Sequence, residues 1–162
     1  MQYFVRNKLN ITNIKSTYGY IGFLPFAFFS VTPWIIGGEI SKTLIVFQLG
    51  YGSIILTFLG GFAWGWRDNQ KNQKINLSIG IFFSLLGCSI LLLAYFNLIL
   101  TGLIISIISF YLFYIFETST EDFQKKDDDY KKFRTILTML VCISFLISSS
   151  YWINPYSNPY II

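Results

Sequence analysis

Histidine is absent from this sequence, and cysteine occurs only twice, at Cys88 and Cys142. The first absence removes the side chain most often used as general base and metal ligand near neutral pH. The second leaves too few thiols for a disulfide framework or a zinc site. Both cysteines fall inside apolar runs, each far from the other, and read as small buried hydrophobes. Charge is scarce as well. Charged residues make up 12% of the chain, against about 25% in ordinary globular domains. A soluble domain of this size needs more polar surface than that, whereas lipid removes the need.

The few charges are absent where chemistry would want them. No Asp, Glu, Lys or Arg interrupts the interior of a long apolar run, although transport and proton relay through a helix bundle generally use such groups. There is no HExxH pattern, phosphate-binding loop or paired intramembrane carboxylate. The net charge of +4 is carried in short segments between apolar runs, not on a solvated face with interleaved aromatics, which speaks against a nucleic-acid partner. From this inventory we expect no catalysis, no cofactor and no bound metal.

What the chain has is apolar length. Its apolar set makes up 54% of residues. Five runs, at about 18–38, 44–66, 77–96, 98–116 and 134–153, match the roughly 20 helical residues that cross a hydrocarbon core of about 30 Å. The fourth run contains thirteen Leu, Ile or Phe residues, which favour insertion by about 4 to 8 kcal/mol on a per-residue transfer scale. The third and fourth runs are nearly continuous, too long for one span. Tyr95-Phe96-Asn97 is the predicted turn of a tight hairpin, since Asn97 is the most polar residue there. The predicted fold is a single all-α domain over 1–162, a five-helix transmembrane bundle with the lipid bilayer as its surroundings. A cleaved signal peptide is the alternative reading of the first run. That run is long for such a role, carries Pro25 and Pro33, and lacks a small-x-small cleavage pattern.

Orientation follows from the basic residues. The N-tail (Arg6, Lys8, Lys15), the second loop (Arg67, Lys71, Lys74) and the polar loop at 117–133 with its boundary (Lys125, Lys126, Lys131, Lys132, Arg134) hold eleven of the 12. Only Lys42 falls on the other side. Basic loops stay inside, so the N-terminus is expected inside and the C-terminus outside. The membrane is then a bacterial cytoplasmic membrane or the mitochondrial inner membrane. Trp34, Trp64, Trp66 and Trp152 lie near span ends, where amphipathic rings prefer the headgroup level, and with Arg67, Lys131, Lys132 and Arg134 they are the expected interface anchors. The tail from Asn154 to Tyr160 repeats Asn-Pro-Tyr and is expected to lie on the outer surface.

Small residues mark the second run. Ser53, Thr57, Gly61 and Gly65 recur every four residues, with Gly50, Gly52 and Gly60 close by. Small side chains let helix backbones approach closely in lipid, so a packing groove along this face is predicted, and Gly61→Leu is expected to disrupt it. Gly80, Ser84 and Cys88 echo the pattern in the third run, and Gly102, Ser106 and Ser109 in the fourth. Gly22 followed by Pro25 predicts a kink or a loosened turn in the first helix. Gln48 is the most polar residue inside the second run; a transport pathway would need it with Ser53, Thr57 and nearby serines around a polar cavity. In the polar loop, Thr118 and Glu121 fit a capping box, and Asp127 to Asp129 suit the dipole of the last helix.

Taken together, these segments resemble the transmembrane protein 69 family. The resemblance rests on Leu49-Gly50-Tyr51-Gly52-Ser53-Ile54-Ile55-Leu56-Thr57-Phe58-Leu59-Gly60-Gly61 followed by Trp64-Gly65, on Gly22-Phe23-Leu24-Pro25-Phe26, and on Tyr130-Lys131-Lys132-Phe133-Arg134. It implies five spans in a bacterial or mitochondrial membrane and supplies no reaction. Relatives often carry His before the Trp of the second-helix pattern, where this chain has Ala63. The leading expectation is a structural, assembly or accessory role beside other membrane-protein subunits. The alternative is a small transporter or channel component.

Overall fold

Glycine sets the first reversal of the chain. In the computed structural model, Gly37 and Gly38 both take φ of 67°, a left-handed conformation that other residues adopt only with strain. Two such residues turn the chain within one step, so α1 (Gln2–Ile36) passes to α2 (Gly38–Phe62) with no loop between them. The structure describes the backbone over residues 2–65 and 70–154, and side chains over 17–64 and 72–154. The sequence predicts a short loop at 39–43. Instead Glu39 and Lys42 lie in the first turns of α2, and Glu39 suits the positive end of that helix. The Ser41 hydroxyl donates to the Pro33 carbonyl at 3.2 Å and stitches the reversal closed.

Beyond α2 the chain makes a 3-10 turn at Ala63–Gly65, then α3 (Gln70–Tyr95), α4 (Ile99–Ser119), the one-turn α5 (Glu121–Gln124) and α6 (Asp128–Ile153). The reversal between α3 and α4 falls where the sequence places it. Asn97 adopts φ of 60°, which asparagine tolerates better than most residues, and the Leu98 N–H donates back to the Leu93 carbonyl. The polar loop is shorter than predicted. Helix continues through Ser119 and resumes at Asp128, so only 120–127 lies between the long helices. The cap of α5 is also displaced: the Thr120 hydroxyl accepts from the Phe123 N–H at 3.3 Å, whereas the Thr118 hydroxyl donates to its own helix at Ile115. Asp127 is the N-cap residue of α6, and Asp128 and Asp129 occupy its first turn.

Among the described residues, five helices are long and apolar enough to cross a membrane, with no strand. Large apolar side chains such as Phe28, Phe58, Leu85, Ile108 and Leu146 stand outward on them. That much exposed hydrocarbon is the surface of a membrane protein. Ser53 meets Gly87, Leu49 meets Gly102, Cys142 meets Ile107, and Trp34 meets Tyr151. Together with Tyr51 on Gly22, Gly60 on Gly80, Phe83 on Phe113, Glu117 on Arg134 and Tyr20 on Phe133, these pairs make neighbours in sequence antiparallel and set α1 parallel to α6. One end of the bundle, the charged end, therefore gathers the start of the α1 span, the end of α2, the starts of α3 and α6, and the end of α4. The core at the centre is Phe26, Leu49, Leu56, Leu103, Phe113 and Phe145, each almost fully buried.

Candidate functional site

Two faces of α2 organise the interior. The first faces α3, the helix it packs against most extensively. The Ser53 hydroxyl donates to the Gly87 carbonyl at 2.6 Å, and the Ser84 hydroxyl to the Thr57 carbonyl at 3.3 Å. At Gly60 the backbones come so close that an added Cβ would lie 2.6 Å from the Gly80 carbonyl oxygen and 2.9 Å from the Ser84 nitrogen. Gly87 has equally little room against Thr57 and Ser53. Only a hydrogen atom fits at such positions, as the close-packing logic of membrane helices requires.

This seam corrects the predicted groove in one respect. Ser53, Thr57 and Gly60 share the face, but Gly61 is exposed and nothing lies within 4 Å of where its Cβ would be. Gly61→Leu therefore has no packed neighbour to disrupt, contrary to the expectation from spacing. The reason is geometric. Steps of four residues advance about 40° past a full helical turn, so a strict four-residue pattern rotates off a neighbour, while alternating steps of four and three stay on it. Gly50 has ordinary contact with Leu91 at 3.9 Å. Gly65 sits in the 3-10 turn.

The second face of α2 carries the buried amide. Gln48 is fully buried. Its Nε2 donates to the Ser144 hydroxyl of α6 at 3.4 Å, and its Oε1 accepts from the Ser148 hydroxyl. Ser144 in turn donates to the Val141 carbonyl of its own helix, and the single Ser148 proton is shared between Gln48 and the Ser144 carbonyl, which lies 3.3 Å from its oxygen. Gln48 is thus joined to serines on the last helix, not to Ser53 and Thr57, which serve α3. The sequence signal was available in the spacing of Ser144 and Ser148, four residues apart on one helix face. Beside this cluster Gly52 admits the Phe145 ring, whose tip lies 2.6 Å from an added Cβ, and Phe26 sits edge-on to Tyr51, Phe110 and Phe145.

The turn of α1 before Pro25 is tied to α2. The helix runs on through Pro25 and Pro33. Pro25 lacks an N–H and crowds the preceding turn. There the Gly22 carbonyl accepts a hydrogen bond from the Tyr51 hydroxyl at 2.8 Å. The carbonyl that Pro25 leaves without an N–H partner is that of Ile21, one residue earlier, so the Tyr51 bond braces the adjoining turn and does not replace the lost one.

At the charged end lies the residue pair that sequence reasoning missed. Arg134 Nε donates to Glu117 Oε2 at 2.6 Å, with both side chains nearly buried. It ties the end of α4 to the start of α6. From sequence alone, Glu117 belongs to the solvated loop and Arg134 to the headgroup level. The clue was that each sits at the boundary of an apolar run, with opposite charge. The other pairs there, Lys125 with Glu121, Lys126 with Asp122 and Lys131 with Asp128, are on the surface. Lys132 is exposed.

The aromatic anchors divide between the two ends. Trp64 is exposed at the charged end. Trp34 packs edge-on against Tyr151 at 5.4 Å at the opposite end, where Trp152 is half-buried against the core. Trp66, Arg67 and the tail beyond Asn154 lie outside the described residues. A cavity of about 340 Å³ runs from the charged end toward mid-bundle between α1, α2 and α6, with Phe110 of α4 contributing to its wall. Its lining is apolar apart from Tyr18, Arg134 and Thr138.

Residues 12–150 match the family model described as protein of unknown function DUF3429. That is most of the chain, and the chain belongs to this family. No curated protein and no solved structure matches it.

Proposed function

We propose that this member of the family is a non-catalytic, multi-pass protein of an inner membrane, with its N-terminus inside and its C-terminus outside. Its role is structural, assembly or accessory to a larger membrane complex. The bacterial cytoplasmic membrane and the mitochondrial inner membrane both fit the basic loops. The affiliation with transmembrane protein 69 belongs to the same proposal and rests on the second-helix pattern. The observation that carries this reading is the use made of the interior polar groups. Gln48, Ser53, Ser84, Ser144 and Ser148 join helices to one another, as in a scaffold held together by interhelical hydrogen bonds.

A transporter or channel component has less support. Its pathway would need Gln48, Ser53 and Thr57 to line one polar cavity, whereas they serve two opposite neighbours of α2. The test is chemical cross-linking in native membranes followed by purification in mild detergent. The proposal expects defined membrane-protein partners recovered in fixed proportion. Recovery of the monomer alone would remove its support. Reporter fusions at each terminus test the orientation, and an external N-terminus would refute it.

A further inference from the structure

The cavity beside α1 is amphipathic along its length. Tyr18 and Arg134 contribute at the charged end, and Phe23, Phe26, Ile55 and Leu59 line the deeper part. Its lining includes Tyr18 of α1 and Phe58 of α2, both exposed on the surface that faces lipid, so the cavity reaches that surface beside these two helices. A cavity of about 340 Å³ with apolar walls and a few placed polar groups has the size and character of a small-molecule site. Two glycines of α1 line it. Gly19 is held against the Phe133 ring, but at Gly22 an added Cβ would meet only the Tyr51 hydroxyl oxygen at 3.9 Å. The small residue at position 22 therefore keeps volume open.

The polar end fits a phosphate. Arg134 commits its Nε to Glu117, which leaves the other N–H donors of the guanidinium fork for a second acceptor. Lys131 lies outside the cavity lining but stands one helical turn before Arg134 on the same helix, half-buried, and among the described residues its side chain makes a 3.6 Å surface pair to the exposed Asp128. Basic pockets between spanning helices on the charged side of a membrane take lipid headgroups. We propose that this cavity is a binding site for one glycerophospholipid from the leaflet at the charged end. One acyl chain lies between α1, α2 and α6, and the phosphate is held by Arg134 and Lys131. The proposal rests on the membrane reading and is independent of the accessory role.

The test uses the full chain reconstituted in phosphatidylethanolamine vesicles doped with phosphatidylglycerol that carries a diazirine on one acyl chain. After photolysis, labelled peptides are mapped and cavity labelling is expressed relative to labelling at Leu85 and Leu92 of α3, which face outward. Cavity labelling is expected to exceed that reference. It should be mostly lost in Gly22→Leu, and likewise in Leu137→Trp, which fills the same space from α6 and guards against a folding defect in the first variant. Diacylglycerol with the same diazirine chain should label the cavity weakly. The preference for phosphatidylglycerol should fall in Lys131→Gln and in the charge-neutral double variant Glu117→Gln with Arg134→Gln. Cavity labelling unchanged in both filled variants would overturn the site. Equal labelling by diacylglycerol would overturn the phosphate assignment, as would a preference retained in both headgroup variants. Capture of another polypeptide at the cavity in place of lipid would overturn the proposal as a whole.

Discussion

The two faces of α2 hold the bundle by opposite means. Toward α3, contact is backbone on backbone: Gly60 against Gly80, and Ser53 hydrogen-bonded across to Gly87. Toward α1 and α6, contact is ring on ring, with Gly52 as the notch for Phe145 and the Gln48 cluster alongside. Farther toward the charged end, the α4–α6 contact beyond these rings is closed by the ion pair of Glu117 with Arg134. A backbone seam has no rotamers with which to absorb a change, whereas an aromatic face does. The same bundle is therefore expected to be brittle on one side of α2 and forgiving on the other, except where charge is buried.

The largest effect is expected at the buried charge. Glu117→Ala leaves Arg134 nearly buried without its carboxylate and should cost about 3 to 5 kcal/mol. The double replacement of Glu117 and Arg134 by Gln removes both charges together and should recover more than half of that loss. Unfolding in mild detergent, followed by intrinsic tryptophan fluorescence, measures both. A single variant as stable as the double would show that water already reaches the pair.

The next two variants compare the two faces directly. An added Cβ is 2.6 Å from its nearest neighbour at both Gly60 and Gly52. At Gly60 that neighbour is a backbone oxygen; at Gly52 it is the tip of the Phe145 ring. Gly60→Ala must push α2 and α3 apart and is expected to cost about 2 to 3 kcal/mol, near the top of the overpacking range. Gly52→Ala needs only a ring adjustment and should cost about 1 kcal/mol. Equal losses at the two sites would break the distinction. Smaller still is Ser53→Ala. It removes the hydroxyl that donates to Gly87, and interhelical hydrogen bonds of this kind average about 0.6 kcal/mol in lipid. A loss above about 2 kcal/mol would mean that the seam depends on this bond more than on its glycines.

How far the bundle was legible follows from which terms are local. Asn97 marked its turn because one polar residue interrupted a long apolar stretch, and that residue tolerates a left-handed backbone. The reversal at Gly37 reads as a loop, since sequence shows two glycines but not their φ angles. Small residues on α2 announced a close contact without naming the neighbour or the exact face. The partners of Gln48 and Glu117 lie on α6, far along the chain. Such pairings depend on which helices become adjacent, and apolar patterning does not specify that choice. The cavity at Arg134 was illegible for the same reason, since α1, α2 and α6 together line most of it.

Gly61 gives the smallest effect and the sharpest discrimination. It neighbours Gly60 in sequence yet points about 100° away around the helix, with nothing within 4 Å of its Cβ position. Gly61→Leu should leave stability within about 0.5 kcal/mol, or raise it slightly, because leucine favours helix over glycine. The comparison with Gly60→Ala then isolates direction from composition: adjacent glycines, one in the seam and one facing lipid. A loss above about 1 kcal/mol for Gly61→Leu in the isolated monomer would mean that α2 is rotated relative to α3. If the loss instead appeared only at protein concentrations where the chain self-associates, the exposed side of α2 would be a contact between copies. The monomer seam would then remain as described.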